Sequence, residues 1–84
     1  MLEYAPFMRA DEIREHLDAD PFIPFRLFLS DGSSYEIQHP DQALVTTWSL
    51  ELGIPEQRPE SRIYQRIAHC SLLHIVKVEK LQPA

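Results

Sequence analysis

The most distinctive short motif in the chain is His39-Pro40-Asp41, which places an imidazole and a carboxylate on either side of a rigid proline. Such a pair could bind a ligand or act as an acid and a base. The same residues are also explained without a substrate, because Pro40 can form the corner of a strand and Asp41 can cap that corner through nearby backbone N–H groups. We favour this structural explanation, and an enzyme that depends on His39 and Asp41 is the alternative.

A second group of reactive side chains, His69, Cys70 and His74, has a spacing that could supply three zinc ligands. Structural zinc sites normally show paired ligands at tight spacing, and a cysteine is more often a small buried residue. Adjacent residues of a strand point to opposite faces, which keeps His69 from activating Cys70 as a nucleophile. With two glycines in the chain, a glycine-rich phosphate loop is nearly excluded. We therefore expect no catalytic residue, no cofactor and no metal ligand.

The elements that position these residues begin with an apolar extension over residues 1–8 and a helix over residues 10–18. Ile13 and Leu17 lie four residues apart on one face of this helix. Pro21 ends the helix, because proline cannot continue the hydrogen-bond pattern. So short a helix is not stable alone, and its apolar face must pack against the rest of the domain.

A β-hairpin follows the rigid, apolar connector of residues 21–25. Residues 25–30 alternate between apolar and polar, which predicts a strand, and Asp31-Gly32 is a strong hairpin signal. To place the apolar residues of both strands on one face, the loop must have three residues, 31–33, or contain an equivalent bulge. The resulting register pairs Leu29 with Tyr35 and Leu27 with Ile37.

The rest of the chain predicts three further strands, over residues 43–50, 62–69 and 74–81, with Val76 and Val78 on the inner side of the last. A polar loop is expected over residues 53–59, and a short helical turn over residues 70–73. The fold class is therefore α+β, with a short N-terminal helix followed by five antiparallel strands within residues 25–81. This order matches an SH3-like or Sm-like small barrel. An open sheet with the helix across one face is the competing arrangement.

The bulk properties of the chain describe one small domain. Its 84 residues fit a single domain over residues 1–84. The net charge of −5 argues mildly against a polyanion as the main partner. No apolar run approaches the ~20 residues that a membrane span needs. The lone Cys70 cannot form an internal disulfide, which fits a reducing compartment. We predict a cytoplasmic protein without membrane association.

Together, the helix, Pro21-Phe22-Ile23-Pro24-Phe25, the Asp31-Gly32 hairpin and His39-Pro40-Asp41 resemble a group of short, uncharacterised bacterial proteins. This resemblance implies a bacterial cytosolic protein of no assigned activity. A weaker likeness to Sm-like RNA-binding proteins rests on the order of elements and on Asp41, Gln42 and Val45. It implies RNA as a possible partner.

Two surfaces are candidates for binding. Tyr4, Phe7 and Phe22 could form an exposed apolar patch for a protein partner or a second copy, or could simply complete the core. An unclosed strand edge would offer the simplest route to self-association.

The second surface is a basic strand face that could bind nucleic acid. Arg62, Tyr64 and Arg66 are expected on the outward face of one strand, and Lys77 can join them from the last strand. Such a face could follow a phosphate backbone and stack a base, or could be an ordinary solvated strand face. The sequence thus predicts a non-catalytic protein-interaction or self-assembly module. An RNA or single-stranded nucleic-acid binder is the alternative, and an enzyme is the second alternative.

Overall fold

A helix and two three-stranded antiparallel sheets make up the computed structural model, which describes residues 8–58 and 60–81. The elements in chain order are α1 (Ala10–Asp18), β1 (Phe25–Leu29), β2 (Ser34–Ile37), a 3-10 helix (Pro40–Gln42), β3 (Ala43–Val45), β4 (Ser49–Pro55), β5 (Tyr64–Ser71), a second 3-10 helix (Leu72–His74) and β6 (Ile75–Lys80). The first sheet has the order β2-β1-β6, and the second has the order β3-β4-β5. The α+β class is confirmed, whereas the strands number six and do not form a closed barrel.

Helix α1 has the predicted bounds and buries the predicted side chains, Ile13 and Leu17. The backbone N–H of Arg9 donates to the Glu12 carboxylate over 2.8 Å, which closes the first turn. Ala19, directly after the helix, is already extended. The buried face of α1 joins a core to which both sheets contribute, consisting of Phe25, Leu27, Ile37, Leu50, Leu52, Ala68, Cys70, Leu72 and Ile75.

The first hairpin has the predicted loop length but a different register. Leu27 pairs with Tyr35 and Phe25 with Ile37, so the predicted pairing is wrong by two residues. The side chain of Asp31 explains the shift, because it accepts hydrogen bonds from the Ser33 backbone N–H and hydroxyl. The three-residue loop therefore covers residues 30–32. The apolar residues still share one face, since a shift of two keeps the alternation.

The stretch predicted as one strand over residues 43–50 is instead a second hairpin, β3 and β4. The Thr46 N–H donates to the Ser49 carbonyl over 2.9 Å, and the Thr46 hydroxyl accepts from the Ser49 N–H, also over 2.9 Å. Threonine thus closes a tight turn that leaves Trp48 exposed. Strand β4 continues to Pro55, so residues 53–55 are strand and not the predicted loop.

Two bulges interrupt the alternation of the last two strands. In the first sheet, Phe28 pairs with Lys77 and Leu29 with Ile75, which leaves Val76 as the extra residue. Val76 is therefore 52% exposed, and its predicted inward orientation is wrong. In the second sheet the pairing shifts between Ile54 and Pro55 of β4, and Gln65 is the extra residue of β5.

A buried glutamine, Gln42, connects the two sheets. Its Nε2 donates to the backbone carbonyls of Glu36 and Gly53, each over 2.9 Å. Its Oε1 accepts from the Gln38 N–H over 2.9 Å. One side chain therefore satisfies backbone groups of the first hairpin and of β4. Within residues 8–58 and 60–81, none of the helices has the length and apolar character that crossing a membrane demands.

Candidate functional site

Strand β5 presents the longest open edge of the two sheets. It has eight residues, and its ladder within the described part of the chain is with β4 alone. The other edges are short or charged: β2 has four residues, β3 has three, and β6 carries Lys77, Glu79 and Lys80. Natural sheets protect open edges by such shortness and charge. Near the middle of β5 lies Ile67, which is 70% exposed.

The outer face of the second sheet is apolar around this edge. Leu52 and Ala68 face the core, so their neighbours Gly53 and Ile67, which pair with each other, lie on the outer face. On the same face, Leu44 is exposed opposite Glu51. Ala68 and Cys70 take the core positions of this strand.

The outer face of the first sheet has a different character. Arg26 forms an ion pair with Glu36 across β1 and β2. Lys77 lies over the ring of Phe28, with its Nζ 4.7 Å from the ring centre. The exposed apolar surface therefore belongs mainly to the second sheet and to its turns.

Tyr64 covers the glycine in this outer face. A Cβ atom placed on Gly53 would lie 2.8 Å from Cδ2 of the Tyr64 ring, so the ring sits directly on the glycine backbone. Burial raises the pKa of the Tyr64 hydroxyl, and the nearby Asp41 carboxylate adds to this rise. The bulge at Gln65 lets Tyr64 lie over Gly53, because it breaks the alternation between Tyr64 and Ile67.

The His39-Pro40-Asp41 motif ties the first 3-10 helix to the loop that precedes β5. His39 Nε2 lies 2.8 Å from the Glu60 carbonyl, and Asp41 forms an ion pair with Arg62. Pro40 opens the 3-10 helix, as expected of a corner residue. The predicted cap by Asp41 is wrong, because its carboxylate binds a guanidinium; Gln42 bonds the backbone groups instead.

The reactive side chains near Cys70 lie around one pocket, which Asp31, His69, Cys70 and His74 help to line. His74 Nδ1 lies 3.1 Å from the Ser30 hydroxyl. Hydrogen bonds from the side chain and then the backbone of Ser33 hold the pKa of Asp31 below its usual value. The Asp31 carboxylate is therefore engaged in hydrogen bonds within the hairpin loop. Burial raises the pKa of the Cys70 thiol and keeps it protonated. Among the described residues, no group of three or more His, Cys, Asp and Glu side chains could hold a metal ion.

The side chains of Glu51 and His69 are hydrogen-bonded on the outer face of the second sheet. The Glu51 carboxylate lies 2.6 Å from His69 Nδ1 and accepts a hydrogen bond from the Ser49 hydroxyl. The Ser49 hydrogen bond, followed by that of His69, lowers the pKa of Glu51. Among the described residues, the Glu51–His69 bond is the only side-chain hydrogen bond that crosses from β4 to β5.

The residues predicted to bind nucleic acid are divided between the two sheets. Tyr64 is the first residue of β5, and Arg62 lies in the preceding loop, where it forms an ion pair with Asp41. Arg66 lies farther along β5, on the side of the strand that carries Ala68. Lys77 belongs to β6 in the first sheet. The four residues are thus not consecutive positions of one strand face.

An apolar groove lies at the other end of the second sheet. It is formed where the start of α1, the turn between β3 and β4, and the second 3-10 helix meet, and it has a volume of about 450 Å³. Its apolar walls include Met8, Ala10, Trp48, Leu72 and Leu73. Of the predicted apolar patch, Tyr4 and Phe7 lie outside the described residues. Phe22 is half-buried, with its ring centre 6.1 Å from that of Phe25.

No protein-family model, curated protein or solved structure matches the chain.

Proposed function

We propose that this protein is a non-catalytic self-assembly module in which β5 of one copy pairs with β5 of a second copy. The observation that carries the proposal is the eight-residue open edge with Ile67 exposed near its middle. An open edge offers unpaired N–H and C=O groups that an antiparallel strand satisfies. The product is a six-stranded sheet whose outer faces are continuous.

Symmetry restricts the register of such a dimer. The twofold axis must pass midway between a residue and its own copy on the facing strand, because only then do both outer faces lie on one side of the joined sheet. A centre at Arg66 would place two guanidinium groups opposite each other, which is unfavourable. A centre at Ile67 instead brings two exposed isoleucines together. It also places Arg66 opposite Ala68 and Gln65 opposite His69.

The energetic gain of this register comes from burial at its centre. The two Ile67 side chains would lie side by side on the outer face, and such a cross-strand apolar pair contributes about 0.2–1 kcal/mol. In this register Arg66 lies opposite Ala68 of the second copy, so it does not face another positive charge directly across the ladder.

The test is the solution mass of the wild-type chain and of Ile67→Lys, measured by light scattering over a wide concentration range. We expect a dimer for the wild type and a monomer for Ile67→Lys, because two lysines directly opposite each other across the ladder would repel. Val76→Lys is the matched control, since Val76 is an exposed β-branched residue on a strand of the other sheet. It should remain dimeric.

Two further measurements make the test decisive. Circular dichroism must show the same fold for both variants, so that loss of the dimer is not loss of the domain. Amide hydrogen exchange should be slower along β5 in the dimer than in Ile67→Lys. A monomeric wild type at millimolar concentration, or a dimeric Ile67→Lys, would refute the proposal. Nucleic acid that co-purifies with a monomer would favour the alternative function.

A further inference from the structure

A pocket lies beside the last residues of β5, between the open edge of that strand and the first hairpin. It has a volume of about 600 Å³ and is lined by Cys70 and Ser71 of β5, by Leu29 of β1 and by residues of the adjoining turns. Strand β4 pairs with Cys70 on one side. The pocket places the first hairpin on the other side, so it opens beside the unpaired edge.

The polar side chains around this pocket already have hydrogen-bond partners. His74 Nδ1 lies 3.1 Å from the Ser30 hydroxyl, and the Asp31 carboxylate accepts two hydrogen bonds within its own loop. The half-buried Leu29 and the thiol of Cys70 form the apolar part, since a neutral cysteine behaves as a small hydrophobic side chain. An apolar side chain therefore fits this pocket better than a polar ligand does.

An exposed isoleucine lies at the opposite end of the same edge. Ile63 directly precedes β5 and is 66% exposed. Its carbonyl accepts a hydrogen bond from the Glu56 N–H over 2.8 Å, so the chain here continues the line of β5. Because successive residues of an extended chain point to opposite faces and Tyr64 lies on the outer face, Ile63 points to the inner face, as Cys70 does.

The twofold pairing of β5 brings the isoleucine of one copy to the pocket of the other. In the register proposed above, Gln65 lies opposite His69 of the second copy. The bulge at Gln65 leaves Tyr64 beside it on the outer face, so Ile63 is the next residue on the inner face and comes opposite Cys70. We propose, on the basis of this β5 pairing, that the pocket of each copy receives Ile63 of the second copy.

The docking of Ile63 also selects the register of the ladder. With the twofold axis at Arg66, Ile63 would lie opposite Ala68 and would miss the pocket. With the axis at Ile67, the exposed isoleucine and the open pocket coincide at both ends of the ladder. The pocket is thus completed only by the second copy.

Disulfide formation tests this contact, because Cys70 is the single cysteine of the chain. In Ile63→Cys, oxidation with copper–phenanthroline should join position 63 of one copy to Cys70 of the other, as identified by peptide mass mapping. Opposed residues of antiparallel strands have the Cα separation of about 4.4–6.8 Å that a disulfide needs. Within one copy the two positions are about 20 Å apart along the strand, so the bond must join two copies. Gln65→Cys is the matched control, since its side chain lies on the outer face and should not be linked to Cys70.

Analytical ultracentrifugation measures how much the contact contributes. Ile63→Ser should raise the dissociation constant of the dimer at least about tenfold, because two apolar contacts are lost in each dimer. Val76→Ser removes an exposed β-branched side chain of the other sheet and should leave the dissociation constant unchanged. Circular dichroism establishes that each variant is folded.

The outcomes separate the docking of Ile63 from the pairing of β5. If the wild type is a dimer but Ile63→Cys forms no bond to Cys70, or Ile63→Ser dissociates as the wild type does, the docking of Ile63 is overturned and the pairing stands. A monomeric wild type would refute the pairing and the docking with it.

Discussion

Replacing Gln42 by leucine should strongly destabilise the domain. Leucine has a similar volume, so the change removes the polar contacts with little change in packing. Gln42 is 3% exposed and takes part in three hydrogen bonds of 2.9 Å with backbone groups of Glu36, Gln38 and Gly53. All three backbone groups lose this partner in Gln42→Leu, in a place that water reaches poorly.

The expected loss follows from the number of bonds. Each net hydrogen bond contributes about 0.5–1.5 kcal/mol, so three give a loss of about 3 kcal/mol in the free energy of unfolding. A domain of this length has a total stability of about 4–13 kcal/mol. The melting temperature should fall by about 12–24 °C, since each kcal/mol lowers it by about 4–8 °C in a domain of this size.

Thermal and urea unfolding followed by circular dichroism measure this loss. Gln57→Leu is the control, because Gln57 is exposed in the loop after β4 and should change stability little. The slope of the urea dependence should stay constant, so that the change reflects the native state. A loss below about 1 kcal/mol for Gln42→Leu would show that the two sheets do not depend on this side chain.

Two further predictions concern the outer face of the second sheet. Gly53→Ala should lower the free energy of unfolding by about 1–3 kcal/mol, because the new Cβ would meet the Tyr64 ring at 2.8 Å. Tyr64→Ala should remove most of this penalty in a double-mutant cycle followed by urea unfolding, and additive losses would contradict the packing argument. The pKa of Glu51 is lowered in the folded chain, so its contribution is present above the ordinary value of 4.5 and is lost as pH falls through the folded value. Glu51→Gln should therefore flatten the acid side of a stability–pH profile, and an unchanged profile would refute this.

The helix and the first strand were predictable because their signals are local. The spacing of Ile13 and Leu17 and the stop at Pro21 specify α1 within the residues that form it. The hairpin loop length also followed from local residues. The register of the hairpin did not follow from them. The hydrogen bonds from Ser33 to Asp31 favour the loop over residues 30–32 instead of 31–33, and the alternation of apolar and polar residues does not predict these bonds.

The candidate site was less predictable, because it depends on bulges and on one long-range side chain. A bulge such as that at Val76 inverts the face of every residue beyond it, so a regular alternation assigns the wrong side. Thr46 closes a turn that contains neither glycine nor proline. The sequence therefore gives no turn signal within residues 43–50, and the second hairpin was predicted as one strand. The role of Gln42 has one local clue, a polar residue directly after His39-Pro40-Asp41, but its partners are set by the tertiary fold.

The contrast between the two sheets supports the proposed pairing of β5 with a second copy. A single exposed isoleucine is ordinary on a protein surface and needs no explanation. Here the outer face of the first sheet is protected by the Arg26–Glu36 ion pair and by Lys77 over Phe28. The second sheet exposes Ile67 at its edge and Trp48 at its turn. Since both sheets belong to one small domain with the same access to water, the apolar surface of the second sheet is best explained by contacts with further chain segments.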